Sequence, residues 1–190
     1  MKSTIILIGP LGAGKTTVGQ LLASKLLLPY CSVDQVRPAY YTRVEYDDKK
    51  AAQLATSETG IWSVLQYSKP FEIKMIEIIL KDHAGVIDFG ASNSVYDDVE
   101  QLTQVEAILA PYPNIFLLLP YPDPDESIQI LKERLIRMLT QTGKTYRDEL
   151  FHLNEYFVKH PSNRRLAKMV IYTKDKTPEA ICAELIQKLK

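Results

Sequence analysis

The chain has 190 residues, enough for one well-packed core and short for two, so a single domain spanning 1–190 is expected. Lys plus Arg and Asp plus Glu number 23 each, with a pI near 6.8, which argues against nucleic acid or a membrane surface as a partner and makes any anion recognition local. The apolar runs are too short for a spanning helix or a leader peptide, and Cys31 and Cys182 stand far apart outside any C-x-x-C pattern; a cytoplasmic monomer with reduced, buried thiols is predicted.

Ile5-Ile6-Leu7-Ile8 is a β-branched run of the kind that fills a buried parallel strand, and Val18, Leu21, Leu22, Lys25 and Leu26 follow at helical spacing. Between them stands Gly9-Pro10-Leu11-Gly12-Ala13-Gly14-Lys15-Thr16, a complete G-x-x-x-x-G-K-[ST] loop in the strand–loop–helix setting that its chemistry needs. The backbone of Gly9, Gly12, Ala13 and Gly14 can curl so that its N–H groups point inward, and the helix opening at Lys15, Thr16 and Thr17 adds its positive end. Together they predict a site for a nucleotide's phosphates. Lys15 should reach the β- and γ-phosphates, and the Thr16 hydroxyl should ligate Mg²⁺.

Tyr30-Cys31-Ser32-Val33 reads as a second strand closing on Asp34. Residues 35–67 show weak helical periodicity and suggest two helices around a break near Thr59-Gly60, forming an acceptor-binding region. Pro70 is expected to open a helix through Phe71, Met75, Ile78, Ile79 and Asp82, stopped by Gly85. Val86-Ile87 leads a third strand into Asp88-Phe89-Gly90. Ser94, three residues before Asp97, is expected to cap a helix through Val99, Leu102, Val105, Ile108 and Leu109.

Ile115–Leu119 is apolar on both faces, as a central parallel strand should be. A helix from about Asp125 to Leu139, a polar stretch over 140–146 and a helical stretch to Val158 follow, with 138–160 forming a small lid. Met169–Tyr172 is the last strand, and Thr177-Pro178-Glu179 starts the final helix. The alternation of strands and helices predicts an α/β chain, a three-layer αβα sandwich of the P-loop NTPase fold with about five parallel strands, phosphates lying at the carboxyl edge of the sheet.

Ile8 to Gly19, with Leu21-Leu22-Ala23, resembles the loop and first helix of shikimate kinase, within the nucleoside-monophosphate-kinase-like P-loop kinases. Weaker likeness runs through Asp34-Gln35, the Gly90 turn, Glu133-Arg134-Leu135 and Lys159-His160-Pro161. The resemblance implies transfer of the ATP γ-phosphate, with Mg²⁺, to a small hydroxylated acceptor beneath a mobile lid. The chain departs from the family at Ser32, where an Asp-x-Asp pair would have its first acid, and at Phe89-Gly90-Ala91 in place of three glycines. The family's Phe-Arg-x-x-Glu pattern, which supplies a carboxylate-binding Arg, is replaced by a stretch offering Lys69, Glu72 and Lys74.

Asp34 is the candidate to orient or deprotonate the acceptor hydroxyl, and Asp88 to hold the magnesium shell in place of the acid missing at Ser32. Arg134 and Arg137, three apart on one helix face, are candidates to neutralise charge on the phosphate, Arg137 preferred for catalysis and Arg134 for the nucleotide. Lys144 and Arg147 are further lid candidates. Gly90 and Lys159 are assigned to acceptor binding, Lys159 by its match to a family position whose Arg holds the acceptor's carboxylate. His160 reads as structural, and the tyrosines of 40–46 as packing residues rather than pocket walls. Three readings stay open: a kinase of a small metabolite using ATP, a shikimate or nucleotide kinase, and a non-kinase P-loop switch or hydrolase.

Overall fold

The sheet begins with β1 (Ile5–Ile8), every residue of which is buried. The computed structural model describes residues 4–141, 143 and 148–190. Four further strands, β2 (Tyr30–Ser32), β3 (Val86–Asp88), β4 (Asn114–Leu119) and β5 (Met169–Tyr172), join β1 in the order β2-β3-β1-β4-β5, all parallel. Helix α1 (Lys15–Leu26) joins β1 to β2, and α2 (Val33–Arg43), α3 (Asp48–Ala55) and α4 (Gly60–Asp82) lie between β2 and β3. A short 3-10 turn (Ala91–Ser94) and α5 (Val99–Leu109) follow β3, α6 (Pro124–Gln141), α7 (Asp148–Lys159) and α8 (Pro161–Leu166) follow β4, and α9 (Pro178–Gln187) ends the chain.

Side chains alternate across a strand, and the core divides accordingly. Ile6, Ile8, Ile87, Ile115 and Leu117 face one layer with Ile76 and Ile79 of α4 and Val105 of α5. Ile5, Leu7, Val86, Phe116 and Leu118 face the other, with Val18 and Leu22 of α1 and Cys182 and Leu185 of α9. Both faces of the sheet are thus covered, which gives the three layers expected from the sequence. Cys31 and Cys182 are free and buried. Among the described residues, no helix is long and apolar enough to cross a membrane.

Several boundaries differ from the expectation. Pro70 lies inside α4 rather than at its start. Burial of Leu65, Ser68 and Lys69 before it and Glu72, Ile73 and Met75 after it fixes both halves on one axis. Pro70 and Gln66 sit on the exposed face, where water can meet the carbonyl that a proline leaves without an amide. The cap of α5 is Asp98, which accepts from the Gln101 amide, whereas Ser94 is buried in the 3-10 turn and donates to Asn163. Residues 35–67 hold a second break, between α2 and α3, where Glu45 adopts a φ of 61°.

Candidate active site

The loop from Gly9 to Gly14 crosses the carboxyl edge of the sheet between β1 and α1. Gly9 has φ 140°, and a Cβ there would meet the Leu118 carbonyl oxygen at 2.5 Å, so the chain can pass this close to β4 only without a side chain. Gly14, at φ 95°, is the N-cap of α1, which has no side-chain cap and no acid in its first turn. The helix's positive end is therefore left for an anion. Lys15 is buried and folds onto the loop, Nζ donating to the carbonyls of Gly9 (2.9 Å) and Pro10 (3.1 Å). Burial lowers its pKa, opposed by the charges of Asp88 and Asp34.

The Thr16 hydroxyl donates to Asp88 Oδ2 at 2.7 Å, and Tyr30 OH donates to the same oxygen at 3.0 Å. Asp88 ends β3 in register with Leu7 of β1 and Ser32 of β2, which brings it beside the loop. Burial raises its carboxyl pKa, more than the Lys15 charge and the Thr16 and Tyr30 hydrogen bonds lower it, and the Asp34 charge adds to the rise. A hydroxyl and a carboxylate are the hard oxygen donors that Mg²⁺ prefers. Among the described residues, no group of three or more His, Cys, Asp or Glu gathers to hold a metal unaided. The pair fits an ion that comes with nucleotide phosphates.

Asp34 is not the end of a strand, because β2 stops at Ser32 and α2 begins at Val33. From the first turn of α2 it pairs with Arg37, Oδ1 to Nη2 at 2.5 Å. Gly90 lies directly against this pair. A methyl group there would collide with Asp34 Oδ1 and stand 2.5 Å from Arg37 Nη2. Asn93, fully buried beside them, has no hydrogen-bond partner among the described residues for either side-chain amide atom. Arg37 escaped the sequence reading, although its i,i+3 spacing from Asp34 on a helix was the available signal.

Asp34 and Arg37 open onto a cavity of about 360 Å³ whose walls include Leu11 of the phosphate loop, Tyr41, Tyr46, Glu72, Leu153 and Phe157. Tyr41 and Tyr46 stack at 4.0 Å between ring centroids, so these two line a pocket rather than merely packing as expected. Tyr40 and Arg43 turn away toward Asp82. Beneath the wall, Lys69 donates to Glu72 Oε2 (3.0 Å) and the Ser92 carbonyl (2.6 Å), and Ser92 donates to Glu72 Oε1 (2.7 Å). Burial works to raise the Glu72 pKa, but the charges of Lys69 and Arg37 and the Ser92 hydrogen bond outweigh it and hold the carboxyl below its ordinary value.

Arg134 on α6 leans onto the loop, Nη1 reaching the Gly12 carbonyl (3.5 Å) and Thr173 Oγ1 (3.3 Å). Arg137, the residue preferred from sequence for catalysis, is exposed on the same helix. Lys159 is also exposed and bridges Glu155 (2.9 Å) and Asp125 (3.1 Å); it does not line the cavity, contrary to the expectation from its Lys-His-Pro string. His160 is structural as expected, capping α8 and meeting Asp97 Oδ1 at 3.1 Å. Lys144 and Arg147 lie outside the described residues.

One contact unread from the sequence joins α7 to the loop. The Asn154 side chain accepts from the Leu11 amide at 2.8 Å and donates to the Leu11 carbonyl at 3.1 Å. Asn154 is buried, and its neighbours Leu153 and Phe157 are cavity walls.

The strand order, the loop after β1 and the helical cover define a P-loop NTPase fold of the kinase-like kind. The chain is similar to shikimate kinases: it is 26% identical to that of Enterococcus faecalis over an alignment of 193 positions, covering 98% of this chain and 98% of the relative. The shikimate kinase of Acinetobacter baumannii, solved in complex with shikimate, matches with a TM-score of 0.58 at 19% identity, covering 99% of this chain and 96% of that one. A gluconokinase from Sinorhizobium meliloti matches with a TM-score of 0.57 at 16% identity, covering 97% and 90%. No family model matches the chain.

Proposed function

We propose that the chain is an ATP- and Mg²⁺-dependent kinase that transfers the γ-phosphate to a hydroxyl of a small metabolite. The observation that carries this reading is the shared wall: Leu11 belongs to the phosphate loop and also lines the cavity that Asp34 faces. An acceptor in that cavity would sit beside the phosphates, and a loop built only for hydrolysis needs no such chamber.

In the proposed reaction the acceptor oxygen forms a bond to the γ-phosphorus while the bond to the bridging oxygen of ADP breaks, and the hydroxyl proton passes to Asp34. Asp34 has a partner in Arg37 that holds it in place for this. Lys15 would exchange the carbonyls of Gly9 and Pro10 for the phosphate tail, and Arg134 would neutralise charge on the transferred group from above the loop. Thr16 and Asp88 would hold Mg²⁺, which shields the phosphate oxygens when bound. Likeness to kinases of two hydroxylated acids supports the reaction class.

The test is ADP release measured with a panel of hydroxy acids, sugars, nucleosides and aromatic alcohols. Acceptor-stimulated release, matched mole for mole by phosphorylated acceptor and abolished in Lys15→Ala, is expected. ATP consumption that no acceptor alters would assign the chain to the hydrolases or switches instead.

A further inference from the structure

Three hydroxyl-bearing residues stand around Asp88. Ser32 is its partner in register across β2 and β3, while Thr16 and Tyr30 both donate to its Oδ2, at 2.7 and 3.0 Å. Thr16 belongs to the first turn of α1 and Tyr30 to the start of β2, so two separate elements converge on one oxygen.

The Tyr30 ring is held along its length. A Cβ at Gly19 would meet Tyr30 Cε2 at 2.9 Å, so the ring fills space on α1 that a side chain would otherwise take. It packs against the core layer that holds Val18 and Leu22. Burial, with the charge of Asp88, raises the pKa of its hydroxyl, so Tyr30 keeps its proton and stays a neutral donor.

A carboxylate turns easily about its last torsion, which is broad and nearly two-fold. Two donors from different elements on the same oxygen restrain that rotation, and Oδ1 is the oxygen that neither of them engages. Thr16 has a second duty in the reaction proposed above, as a ligand for Mg²⁺. Tyr30 has none, so its bond to Asp88 is the one that the ion's arrival need not disturb. Ser32 brings no charge to the buried Asp88, and the placement of that carboxylate then decides how well it serves the ion.

We propose that Tyr30 is a positioning residue for Mg²⁺: its hydroxyl holds Asp88 by Oδ2 and keeps Oδ1 available to the ion that comes with the nucleotide. This rests on the kinase reading for its Mg²⁺-bound nucleotide and does not depend on which acceptor is used.

Tyr30→Phe keeps the ring and removes the hydroxyl. A fluorescent ATP analogue is titrated into the full chain as wild type, Tyr30→Phe, Asp88→Asn and the double variant, each with Mg²⁺ and with EDTA in its place. The ratio of the two affinities reads what the ion contributes. Tyr30→Phe is expected to lower that ratio about fivefold, the scale of one hydrogen bond, and to leave it unaltered when added to Asp88→Asn, because the hydroxyl acts only through the carboxylate. A merely structural role would weaken binding equally with and without the ion, and that result overturns the proposal. An unchanged or higher ratio in Tyr30→Phe overturns it too, as does an equal loss in both backgrounds. Wild-type protein that fails to bind the nucleotide with Mg²⁺ overturns the kinase reading itself, and the proposal falls with it.

Discussion

The Thr16 hydroxyl donates to Asp88 Oδ2 at 2.7 Å, joining the first turn of α1 to the end of β3. The two residues are 72 positions apart and form one oxygen pair next to the phosphate loop. Asp88→Asn should raise the half-saturating Mg²⁺ concentration for turnover about tenfold, the scale of one charged hydrogen-bonding partner lost. A magnesium titration at fixed ATP reads this, and an unchanged curve removes Asp88 from the role.

The same acid predicts a pH dependence. Its folded-state pKa is raised, so the folded chain holds the proton more tightly than the unfolded one. The stability this brings is complete below the ordinary carboxylate range and is lost as pH rises through the raised pKa. Protonation also removes the ligand charge, so the magnesium requirement should grow as pH falls through that pKa. In Asp88→Asn this dependence should disappear.

Gly90→Ala separates catalysis from folding. Its new methyl would strike the side-chain ends of Asp34, Arg37 and the buried Asn93 rather than backbone, so the unfolding midpoint should fall by only about 5 °C. Turnover should fall about 100-fold, because an ångström of displacement at Asp34 misaligns the acceptor. Thermal unfolding and acceptor-dependent ADP release, measured on the same preparation, check both halves.

The buried pair of Lys69 and Glu72 predicts a separate result. Lys69→Met alone should destabilise the chain by about 3–5 kcal/mol, since it strands a buried carboxylate, and adding Glu72→Leu should restore most of that. The folded-state pKa of Glu72 is depressed. Its contribution is therefore present above the unfolded pKa and lost as pH falls through the folded one. Urea unfolding of the double variant between neutral and acid pH should lack that component.

The two arginines of α6 can be ranked. Arg134→Ala should lower kcat about 100-fold, as the loss of one preorganised donor does at other sites of developing charge, and Arg137→Ala should cost less. Arg134 touches the loop carbonyl of Gly12, and Arg137 is exposed. Equal losses would show that Arg137 swings in during turnover.

The phosphate loop could be read from sequence because its chemistry is local: eight consecutive residues carry the amides, the ammonium and the hydroxyl. The five strands were readable for a similar reason, as runs such as Ile115–Leu119 are apolar on both faces. What could not be read depends on distant parts of the chain. Pro70 stays within α4 because residues on both sides of it are buried by other elements. Lys159 follows a familiar string yet faces outward because Asp125 and Glu155 meet it there. The clasp of Asn154 on Leu11 spans 143 positions and has no signature in either segment. Arg37 was readable by helical spacing, but its value emerges only when Gly90 is seen beneath it.

That clasp has a mechanical consequence. One side-chain amide holds both the N–H and the C=O of Leu11, which ties the phosphate loop to the helix that carries Leu153 and Phe157. If a nucleotide tilts the cradle, the tilt is expected to reach Leu153 and Phe157 through this contact. Under the kinase reading, nucleotide and acceptor are expected to change each other's affinity by the same factor, which equilibrium titration of each with and without the other would read.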